Sequence, residues 1–417
     1  MNNKYANENV FDACVIGAGA SGLVCASELA KRGYSTLLLE QNKKSGRKIY
    51  ATGNGRCNIA NAVLSSSAYY GDGFAARVVN NGSITLLKRD LEQMGIPLFE
   101  KEGYIYPQSM QASSVVWALT DAARLAGAEI IYERELRNVK RTEAGGFMLE
   151  TVSPKNGGSY TYFSNRLILS AGSPAGEELG AAKEDTLTSI LSELGLPYTP
   201  FEPALCPLIV EEDVKELAGV RTRVMLKLGL SMDHSLKNDI LMEDGELQLT
   251  DYGISGIAVF NLSTVAHIGE CISIDLLPSW KDEESILHFI RKQDGRRSIY
   301  GALNGLLHEK LCLYFLKLKC GKENVKKPLL EFKDEELLDL IRLMKDWRLS
   351  IKGKKGSQGQ AQRGGVQTQY LSPETMQVYN EPRIAVTGEL CNVVGRCGGY
   401  NLMFALISGM RAGQKIK

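Results

Sequence analysis

The chain has 417 residues, which is more than one hydrophobic core usually organises, so two or three domains are expected. It carries 49 basic and 48 acidic side chains, and this balance argues against a nucleic-acid partner. Its nine cysteines form neither CxxC pairs nor zinc spacings, so we expect no disulfide scaffold and no metal site. The polar N-terminus lacks a signal-peptide pattern and no long apolar run follows, which favours a cytoplasmic protein that does not enter the membrane.

A glycine turn near the start of the chain is the first feature that points to a ligand. Residues 11–16 predict a buried strand, a turn with three glycines and an apolar helix follow, and a second strand ends in Glu40. This order of strand, turn, helix and acid is the fingerprint of a dinucleotide-binding site. Gly17 allows the tight turn, Gly19 lets a pyrophosphate approach the backbone, and Gly22 lets the helix pack on the strand.

The same turn indicates which cofactor is bound. The N-terminus of the predicted helix offers free N–H groups and a positive dipole end to phosphate groups. Glu40 can accept hydrogen bonds from both hydroxyls of an adenosine ribose and repels a 2′-phosphate, which favours FAD or NAD over NADP. An ordinary structural turn is the alternative. The residues assigned to this part of the cofactor site are Gly17, Gly19, Ala20, Ser21, Gly22, Glu40 and Gln41.

A second glycine-rich stretch, residues 45–61, lies between the fingerprint and the next predicted helix. Its cations, amides and backbone N–H groups suit a pyrophosphate and the polar edge of a flavin. A surface loop with ordinary salt bridges is the alternative. A later strand, residues 166–170, ends in two small residues that we add to the site. The candidate residues are Arg47, Lys48, Asn54, Gly55, Arg56, Cys57, Asn58, Ala171 and Gly172.

Two further glycine elements lie near the end of the chain. The first follows a short predicted strand, where a carboxylate can bind a hydroxylated chain such as the ribityl of a flavin. The second opens a final apolar helix, whose dipole can stabilise negative charge on the N1/O2 side of a reduced flavin. Each element also has a purely structural alternative. The first can be an ordinary strand end, and the second can be an ordinary helix cap. The candidate residues are Gly388, Glu389, Gly398, Gly399, Tyr400 and Asn401.

The chain returns to its first pattern after a long insertion. Strand-like and helix-like stretches alternate up to about residue 197, where four prolines cluster. Short predicted strands then give way to helical periodicity, and the α/β alternation resumes near the C-terminus. We therefore predict an α/β protein with a discontinuous Rossmann-like domain, residues 1–197 and 355–417. Its insertion has a β-rich domain, residues 198–280, and a helical part, residues 281–354.

Together these motifs make the sequence resemble a known family, the BaiN-like flavoproteins, also called the aminoacetone oxidase family, within the two-dinucleotide-binding-domain flavoproteins. The most specific pieces are residues 46–48 with 53–58, and residues 106–109. Further pieces are residues 253–256, residues 375–376, and residues 388–389 with 395 and 398–401. The resemblance implies a Rossmann-like FAD domain made from both chain ends, an inserted β-barrel-like part and a helical part. It also implies that the backbone of Leu136 contacts the adenine, and that residues 399–401 contact the isoalloxazine.

Two positions depart from the family pattern. The family often has a histidine where this chain has Asp251, and it has a longer stretch before a Gly-Gly-Val than residues 360–366. Both departures lie where substrate-side chemistry is expected. The FAD motifs are intact, whereas the activity of any one relative does not transfer directly.

Flavin chemistry resides in the cofactor, so the residues leave several reactions open. We predict an FAD-dependent oxidoreductase in which NADH or NADPH reduces the flavin, and the flavin reduces an unsaturated or carbonyl-containing small molecule. Because only one complete fingerprint is present, nicotinamide and substrate would use the flavin face by turns. An amine or alcohol oxidase that uses oxygen, and a non-catalytic flavin-binding redox sensor, are the alternatives.

A nucleic-acid-modifying flavoprotein is disfavoured by the near-zero charge, because the basic runs at residues 317–327 and 352–355 suit solvated faces. The sequence does not indicate an oligomeric state.

Three residues are candidates for acid–base chemistry because of their place in the motifs. Tyr400 can donate a proton or a hydrogen bond near the flavin, and ring packing explains it equally well. Cys57 can be a flavin-proximal thiol, although a small buried hydrophobe is the commoner role. Asp251 can act on a substrate or simply cap a turn. Among the histidines, His288 and His308 fall in helical stretches and suit packing or surface positions.

Overall fold

The computed structural model describes residues 10–71, 73–230, 236–356 and 359–417. The chain divides into two compact units. The first, which we call the Rossmann unit, contains Met1–Glu202 and Gln360–Lys417, and the second, the barrel unit, contains Pro203–Gly359. The division therefore falls a few residues beyond the predicted boundaries at 197 and 355, after the first two prolines of the proline cluster.

Helices and strands alternate along most of the Rossmann unit, and the barrel unit has strands first and helices later. The helices are α1 (Ala20–Lys31), α2 (Arg47–Ala51), α3 (Phe74–Val78), α4 (Asn81–Gln93), α5 (Ala112–Leu125), α6 (Glu184–Glu193), α7 (Ile257–Ser263), α8 (Glu283–Arg291), α9 (Ile299–Leu303), α10 (Glu309–Cys320), α11 (Asp334–Lys345) and α12 (Tyr400–Lys415). The strands are β1 (Val10–Phe11), β2 (Ala13–Ile16), β3 (Thr36–Glu40), β4 (Ala60–Asn61), β5 (Tyr69–Tyr70), β6 (Leu98–Lys101), β7 (Tyr104–Pro107), β8 (Glu129–Tyr132), β9 (Glu135–Arg141), β10 (Phe147–Val152), β11 (Ser159–Ser164), β12 (Leu167–Leu169), β13 (Tyr198–Ala204), β14 (Leu208–Val210), β15 (Arg221–Leu230), β16 (Leu236–Leu249), β17 (Gly253–Ser255), β18 (Cys271–Asp275), β19 (Trp347–Lys354), β20 (Ala361–Val366), β21 (Gln377–Val378), β22 (Glu381–Val386) and β23 (Val394–Gly395).

The central sheet of the Rossmann unit has six strands in the order β21-β22-β12-β2-β3-β8. Neighbours from β22 to β8 run parallel, and Cys14 pairs with Leu167 on one side and with Leu37 on the other. Leu167 in turn pairs with Ile384, so a strand from the last part of the chain completes the sheet of the first part. The strands β2, β3 and β12 are fully buried, which explains their continuous rather than alternating apolar sequence.

Helices α1 and α12 pack together at unusually short range because small residues line their contact. A Cβ added to Gly409 would lie 2.2 Å from the carbonyl oxygen of Ser21, and one added to Gly413 would lie 2.7 Å from that of Cys25. Glycine inside a helix is unfavourable by about 0.5–1 kcal/mol relative to alanine, so close packing is the compensation here. The two chain ends thus share one helix pair as well as one sheet.

Two smaller sheets of the Rossmann unit support the loops that follow the fingerprint. The three-stranded sheet β4-β7-β6 holds the end of the glycine-rich stretch, because Ala60 pairs with Ile105. The short pair β23-β5 precedes α12 and joins Gly395 to Tyr69. A further sheet, β1-β11-β10-β9, lies in the same unit. These sheets bring residues 58–61 against the N-terminal end of α12.

The barrel unit has its own hydrophobic core. Six strands close into a barrel in the order β14-β17-β16-β15-β18-β19. Apolar side chains of the barrel, such as Leu226 and Ile274, share one buried cluster with side chains of the helical part, such as Phe315 and Ile341. Because the cluster is continuous, barrel and helices form one unit, and no separate helical core accompanies residues 281–354 in the described part of the chain.

The α/β class, the Rossmann-like sheet and the inserted barrel with helices are confirmed. One helix, α7, lies within the stretch where only strands were predicted, between the barrel strands β17 and β18. Within the residues described, no helix combines the length and the apolar composition needed to cross a membrane.

Candidate cofactor site

The three fingerprint glycines have different surroundings. Gly17 has a φ of +99°, and a Cβ there would lie 2.7 Å from the carbonyl oxygen of Ser170. A Cβ on Gly22 would lie 1.9 Å from the carbonyl oxygen of Gly17. A Cβ on Gly19, by contrast, would meet no atom within 4 Å among the described residues. Two glycines therefore serve the packing of the protein itself, and Gly19 borders open space.

That open space lies at the N-terminus of α1. Gly19 is the residue before the helix, in an extended conformation, and the first-turn N–H groups of an α-helix have no partner within the helix. Helix α2 is held nearby, because the N–H of Gly46 donates to the carbonyl oxygen of Ala18 (2.8 Å). A bare backbone, free N–H groups and a positive dipole end fit the pyrophosphate of a dinucleotide.

Glu40 ends β3 and is almost fully buried at 7% exposure. The N–H of Ala18 donates to its Oε2 (2.8 Å), and the backbone N–H and Nδ2 of Asn42 donate to its Oε1 (2.8 and 2.7 Å). Burial raises the pKa of this carboxyl above its ordinary value, and the Asn42 and Ala18 donors oppose that rise. A carboxylate has about four acceptor positions, so about one is left for a ribose hydroxyl. The predicted contact of Glu40 with both ribose hydroxyls stays a prediction.

Asn42, which was not predicted as a site residue, forms hydrogen bonds that link Glu40 to the candidate Arg47. Its Nδ2 donates to the carbonyl oxygen of Gly180 (3.0 Å), and its Oδ1 accepts from Nη1 of Arg47 (3.0 Å). The Nε2 of Gln41 donates to the same Gly180 carbonyl (2.7 Å). The side chains of Gln41 and Arg47 are therefore engaged with the protein beside Glu40. The signal that was available in the sequence is the asparagine two residues after the acid.

Lys48 and Glu389, predicted from opposite parts of the chain, form an ion pair of 2.6 Å between Nζ and Oε2. Ser173, which was not predicted, donates its hydroxyl to the same Oε2 (2.9 Å). Burial alone would raise the pKa of Glu389, but the Lys48 cation and the two hydrogen bonds outweigh it and lower the pKa. Glu389 is thus ionised at neutral pH, and both of its donors, Lys48 and Ser173, contact Oε2 rather than Oε1.

Two glycines with positive φ lie beside the Lys48–Glu389 ion pair. Gly172 has a φ of +76°, and a Cβ there would lie 3.5 Å from Nζ of Lys48. Gly388 has a φ of +64°, and a Cβ there would lie 2.7 Å from Oγ of Ser21. Its N–H donates to Oγ of Ser408 (3.0 Å). Ser170 follows β12 and Thr387 follows β22, and a 2.6 Å hydrogen bond between their hydroxyls joins the ends of these two strands.

The loop before β4 has an uncommon backbone. Gly53, Asn54, Gly55 and Cys57 all have φ between +53° and +82°. Asparagine tolerates this left-handed region better than most side chains, whereas cysteine adopts it rarely. Asn54, Gly55 and Arg56 are exposed, so their polar groups are accessible to a ligand.

The N-terminal end of α12 is built on two left-handed glycines. A Cβ on Gly399 would lie 2.7 Å from the carbonyl oxygen of Ala60, and one on Gly398 would lie 3.1 Å from the ring of Tyr104. The Nδ2 of Asn61 donates to the carbonyl oxygen of Gly398 (3.0 Å). The amide nitrogen of Asn58, assigned from its surroundings, donates to the carbonyl oxygen of Ala60 (2.9 Å).

Two side chains of this end are engaged with the protein. The amide of Asn401 accepts from the N–H of Gly395 (2.7 Å) and donates to its carbonyl oxygen (3.0 Å). The phenol of Tyr400 donates to the carbonyl oxygen of Val63 (2.8 Å), and its ring packs edge-on against Tyr69 with centroids 5.8 Å apart. Burial raises the pKa of Tyr400. This geometry favours the ring-packing alternative for Tyr400, and Asn401 contributes backbone rather than its amide.

The remaining candidates are Cys57 and Leu136 in the Rossmann unit and Asp251 in the barrel unit. Cys57 is fully buried, and burial raises the pKa of its thiol to about 11, which favours the role of a small buried hydrophobe. Asp251 is exposed in the turn between β16 and β17 of the barrel unit, where the N–H of Thr250 donates to the carbonyl oxygen of Gly253. Leu136 is buried in β9 and pairs with Thr151. The Asp251 and Leu136 assignments stay predictions.

These contacts define a class of protein. The glycine turn, the helix N-terminus, the buried acid and the Lys48–Glu389 pair lie in one unit and fit a bound dinucleotide that continues past Gly388. The class is the Rossmann-type flavoproteins. The chain matches the HI0933-like protein Rossmann domain family over residues 11–415, and it belongs to that family. It is an FAD-dependent oxidoreductase, and the resemblance drawn from the glycine motifs is confirmed.

Individual relatives span almost the whole chain. The chain is 32% identical to a 3-dehydro-bile acid delta(4,6)-reductase of Clostridium scindens, over 96% of this chain and 97% of the relative. It is 29% identical to a ribosomal RNA dihydrouridine synthase of Escherichia coli, over 97% of this chain and 98% of the relative. The open conformation of a flavocytochrome c3 fumarate reductase has a TM-score of 0.50 at 13% identity, covering 98% of this chain and 78% of that chain. This last likeness concerns the fold alone.

Proposed function

We propose that the protein is a cytoplasmic FAD-dependent reductase that takes hydride from NADH or NADPH and delivers it to a small molecule. Its substrate carries a carbon–carbon double bond conjugated with a carbonyl group. The observation that carries this proposal is the match of almost the entire chain to a bile acid reductase, with the FAD-binding elements in place. The name of that relative describes reduction of ring double bonds in a 3-dehydro bile acid, which is a conjugated ketone.

The residues of the Rossmann unit support a dinucleotide without a 2′-phosphate at the fingerprint, and Glu389 supports FAD as that dinucleotide. Glu40 is buried, it retains about one free acceptor position, and it disfavours a 2′-phosphate. Gly19 leaves room for the pyrophosphate, and Glu389 has an oxygen available for a hydroxylated chain. When bound, FAD supplies the hydride-transfer chemistry. Nicotinamide and substrate then meet the flavin by turns.

The ionised state of Glu389 fits this arrangement. The Lys48 cation is held by Glu389 and by the carbonyl oxygen of Ser173 (3.3 Å), so its charge is neutralised locally. Lys48 therefore orients the carboxylate more than it attracts a distant phosphate. The predicted role of Lys48 at the pyrophosphate becomes a positioning role toward Glu389.

The decisive experiment mixes the anaerobic FAD-loaded protein with NADH or NADPH in a stopped-flow spectrometer and follows the flavin absorbance. We expect bleaching by at least one donor, and recovery of the absorbance when an enone such as progesterone is added. Bleaching by amines or alcohols instead of nicotinamides would identify an oxidase. Tight FAD binding without bleaching by any donor would identify a redox sensor.

A second candidate substrate is uridine in RNA, and one structural observation favours it. Residues 295–299 run antiparallel to residues 327–330 in the barrel unit, because Leu329 donates to the carbonyl of Arg297 and Leu330 to that of Gly295 (2.8 and 2.9 Å). Around this pairing, residues 292–297 and 322–327 carry six basic side chains, the residue type that a polyanion requires. The basic side chains on the two segments are Lys292, Arg296, Arg297, Lys322, Lys326 and Lys327.

Acidic neighbours reduce the charge of these segments, which keeps RNA the second candidate. Arg296 pairs with Asp294 (2.7 Å), and Lys327 pairs with Glu331 (3.7 Å). The relative from Escherichia coli is nevertheless named for dihydrouridine, the saturated form of uridine. Flavin reoxidation by ribosomal RNA, with an affinity that falls steeply with salt, would favour this candidate over the enone.

A further inference from the structure

Reduction of a conjugated double bond needs a proton donor as well as a hydride donor. The histidines of the chain, His234, His267, His288 and His308, all belong to the barrel unit, and His234 lies outside the described residues. The Rossmann unit therefore has no histidine, so a proton donor supplied by this unit is another kind of side chain. A phenol is a suitable neutral donor because it keeps its proton at neutral pH.

Three tyrosines surround the N-terminal end of α12, and two of them are engaged. Tyr69 donates its hydroxyl to the carbonyl oxygen of Tyr400 (2.9 Å), and Tyr400 donates to the carbonyl oxygen of Val63 (2.8 Å). The third, Tyr104, is half-buried on β7, and its hydroxyl makes no hydrogen bond with any residue that the structure describes. It is the phenol of this group that can donate to a ligand.

Tyr104 is held firmly although its hydroxyl is free. Its ring packs against the glycine that begins α12, since a Cβ on Gly398 would lie 3.1 Å from Cε1 of Tyr104. The ring of Tyr104 also lies near that of Tyr106, with centroids 6.4 Å apart and ring planes tilted by 50°, and Tyr106 stacks on Phe99 at 6.0 Å. Ring contacts thus fix the direction of the phenol, which is what a positioned acid requires.

The other acids of the Rossmann unit's candidate site are unsuited to this task. Glu389 is ionised through its pairing with Lys48, and Cys57 is a buried thiol that packs in the core. Glu40 lies at the fingerprint, where it accepts hydrogen bonds from Ala18 and Asn42. Tyr104 lies against Gly398 at the N-terminal end of α12, where Asn58 of the loop 53–58 lies close to Gly399.

We propose that Tyr104 is the catalytic acid of this reductase, an inference that rests on the proposed function. As the π bond of the substrate breaks, a C–H bond forms at the β-carbon with the hydride that bound FAD, reduced by NADH or NADPH, would supply. The Tyr104 hydroxyl gives its proton to the α-carbon and forms the second C–H bond. The resulting phenolate takes a proton from solvent, which reaches the half-buried ring, so atoms and charge balance.

The test compares Tyr104→Phe with Tyr106→Phe, because both changes keep the stacked rings and each removes one hydroxyl. In the stopped-flow assay, Tyr104→Phe is expected to leave flavin reduction by the nicotinamide unchanged. It is expected to slow flavin reoxidation by progesterone about 10²–10⁴-fold, the usual contribution of a general acid. The solvent deuterium isotope effect on reoxidation is expected to change as well, whereas Tyr106→Phe should behave like the wild type.

A second readout needs no substrate. Tyrosine in contact with a flavin quenches its fluorescence by electron transfer, and phenylalanine does not. Tyr104→Phe is expected to increase the fluorescence of bound FAD severalfold, and Tyr106→Phe to leave it nearly unchanged. Equal reoxidation rates, or equal fluorescence in the wild type and Tyr104→Phe, would overturn the role of Tyr104. Absence of turnover in the wild type would instead overturn the proposed function, and the fluorescence comparison would still decide where Tyr104 lies.

Discussion

The glycines of the fingerprint are required for different reasons. Gly22 cannot carry a side chain because the carbonyl oxygen of Gly17 occupies the space, whereas Gly19 borders open space. The sequence motif treats the two positions alike. Their surroundings separate a requirement of the fold from a requirement of the cofactor.

This difference predicts opposite outcomes for two alanine variants. Gly22→Ala should destabilise the FAD-free protein by about 1–3 kcal/mol, because the new Cβ overlaps backbone that cannot yield easily. Gly19→Ala should lose no more than about 1 kcal/mol, as at an N-cap, and yet bind FAD about tenfold or more weakly. Urea unfolding without FAD and titration with FAD measure the two quantities. Equal stability losses in both variants would contradict the assignment.

Glu389 makes the stability of the FAD-free protein depend on pH. Its pKa is lowered in the folded protein below the ordinary value of 4.5, so its interactions stabilise the fold fully above pH 4.5. That contribution is lost as the pH falls through the lowered pKa of the folded state. The stability difference between the wild type and Glu389→Gln should therefore be largest at neutral pH and shrink below pH 4.5.

Urea unfolding of both proteins across this pH range measures the effect. Asp251→Asn, which removes an exposed acid in the barrel unit, is the matched control and should show little change. A difference between wild type and Glu389→Gln that stays constant with pH would argue against an ionised Glu389 held by Lys48.

At the scale of elements, the α1–α12 contact links the two chain ends to the phosphate-binding end of α1. Gly409 on α12 touches the backbone of Ser21, which is in the first turn of α1. Ser21 in turn lies against Gly388. A displacement of α12 therefore reaches the fingerprint directly.

We expect Gly409→Ala to weaken FAD binding although residue 409 is remote from the cofactor residues in sequence. The new Cβ would lie 2.2 Å from the carbonyl oxygen of Ser21, so α1 and α12 must separate, and a stability loss of about 1–3 kcal/mol is expected. Gly305→Ala is the control, since residue 305 is exposed and a Cβ there meets no atom within 4 Å in the described structure. Calorimetric FAD titration of both variants provides the comparison.

At the scale of the whole molecule, each unit has its own hydrophobic core. The residues that fit FAD all belong to the Rossmann unit, and the barrel unit contains Asp251 and the basic segments. Ligand binding stabilises only the structure that binds it, by RT ln(1 + [L]/Kd). The two units should therefore respond differently to the cofactor.

Thermal unfolding followed by calorimetry should show this difference. FAD at about 100 times its Kd is expected to stabilise the Rossmann unit by about 2.7 kcal/mol and to raise its transition temperature. The transition of the barrel unit, which Trp347 in its core reports by fluorescence, should move less. Equal shifts of both transitions would show that the units unfold as one.

The sequence by itself determined the cofactor and the class of fold. Local patterns carry this information, because a strand, a glycine turn, a helix and an acid must follow one another closely to bind a pyrophosphate. The apolar runs that form β2 and β12 and the return of α/β alternation near residue 383 likewise predict a sheet made from both chain ends. The positions of Gly17, Gly22 and Glu40 were predictable for the same reason.

Only the tertiary structure decided which polar groups remain available to a ligand. Residues far apart in sequence satisfy one another, as Lys48 does with Glu389 and Tyr400 with the carbonyl of Val63. Three of about four acceptor positions of Glu40 are filled by Ala18 and Asn42, and Tyr104 keeps its hydroxyl free. Sequence motifs show which polar groups are present. Hydrogen bonds between residues that are distant in sequence determine which of these groups can still bind a ligand, and no local sequence pattern reveals those bonds.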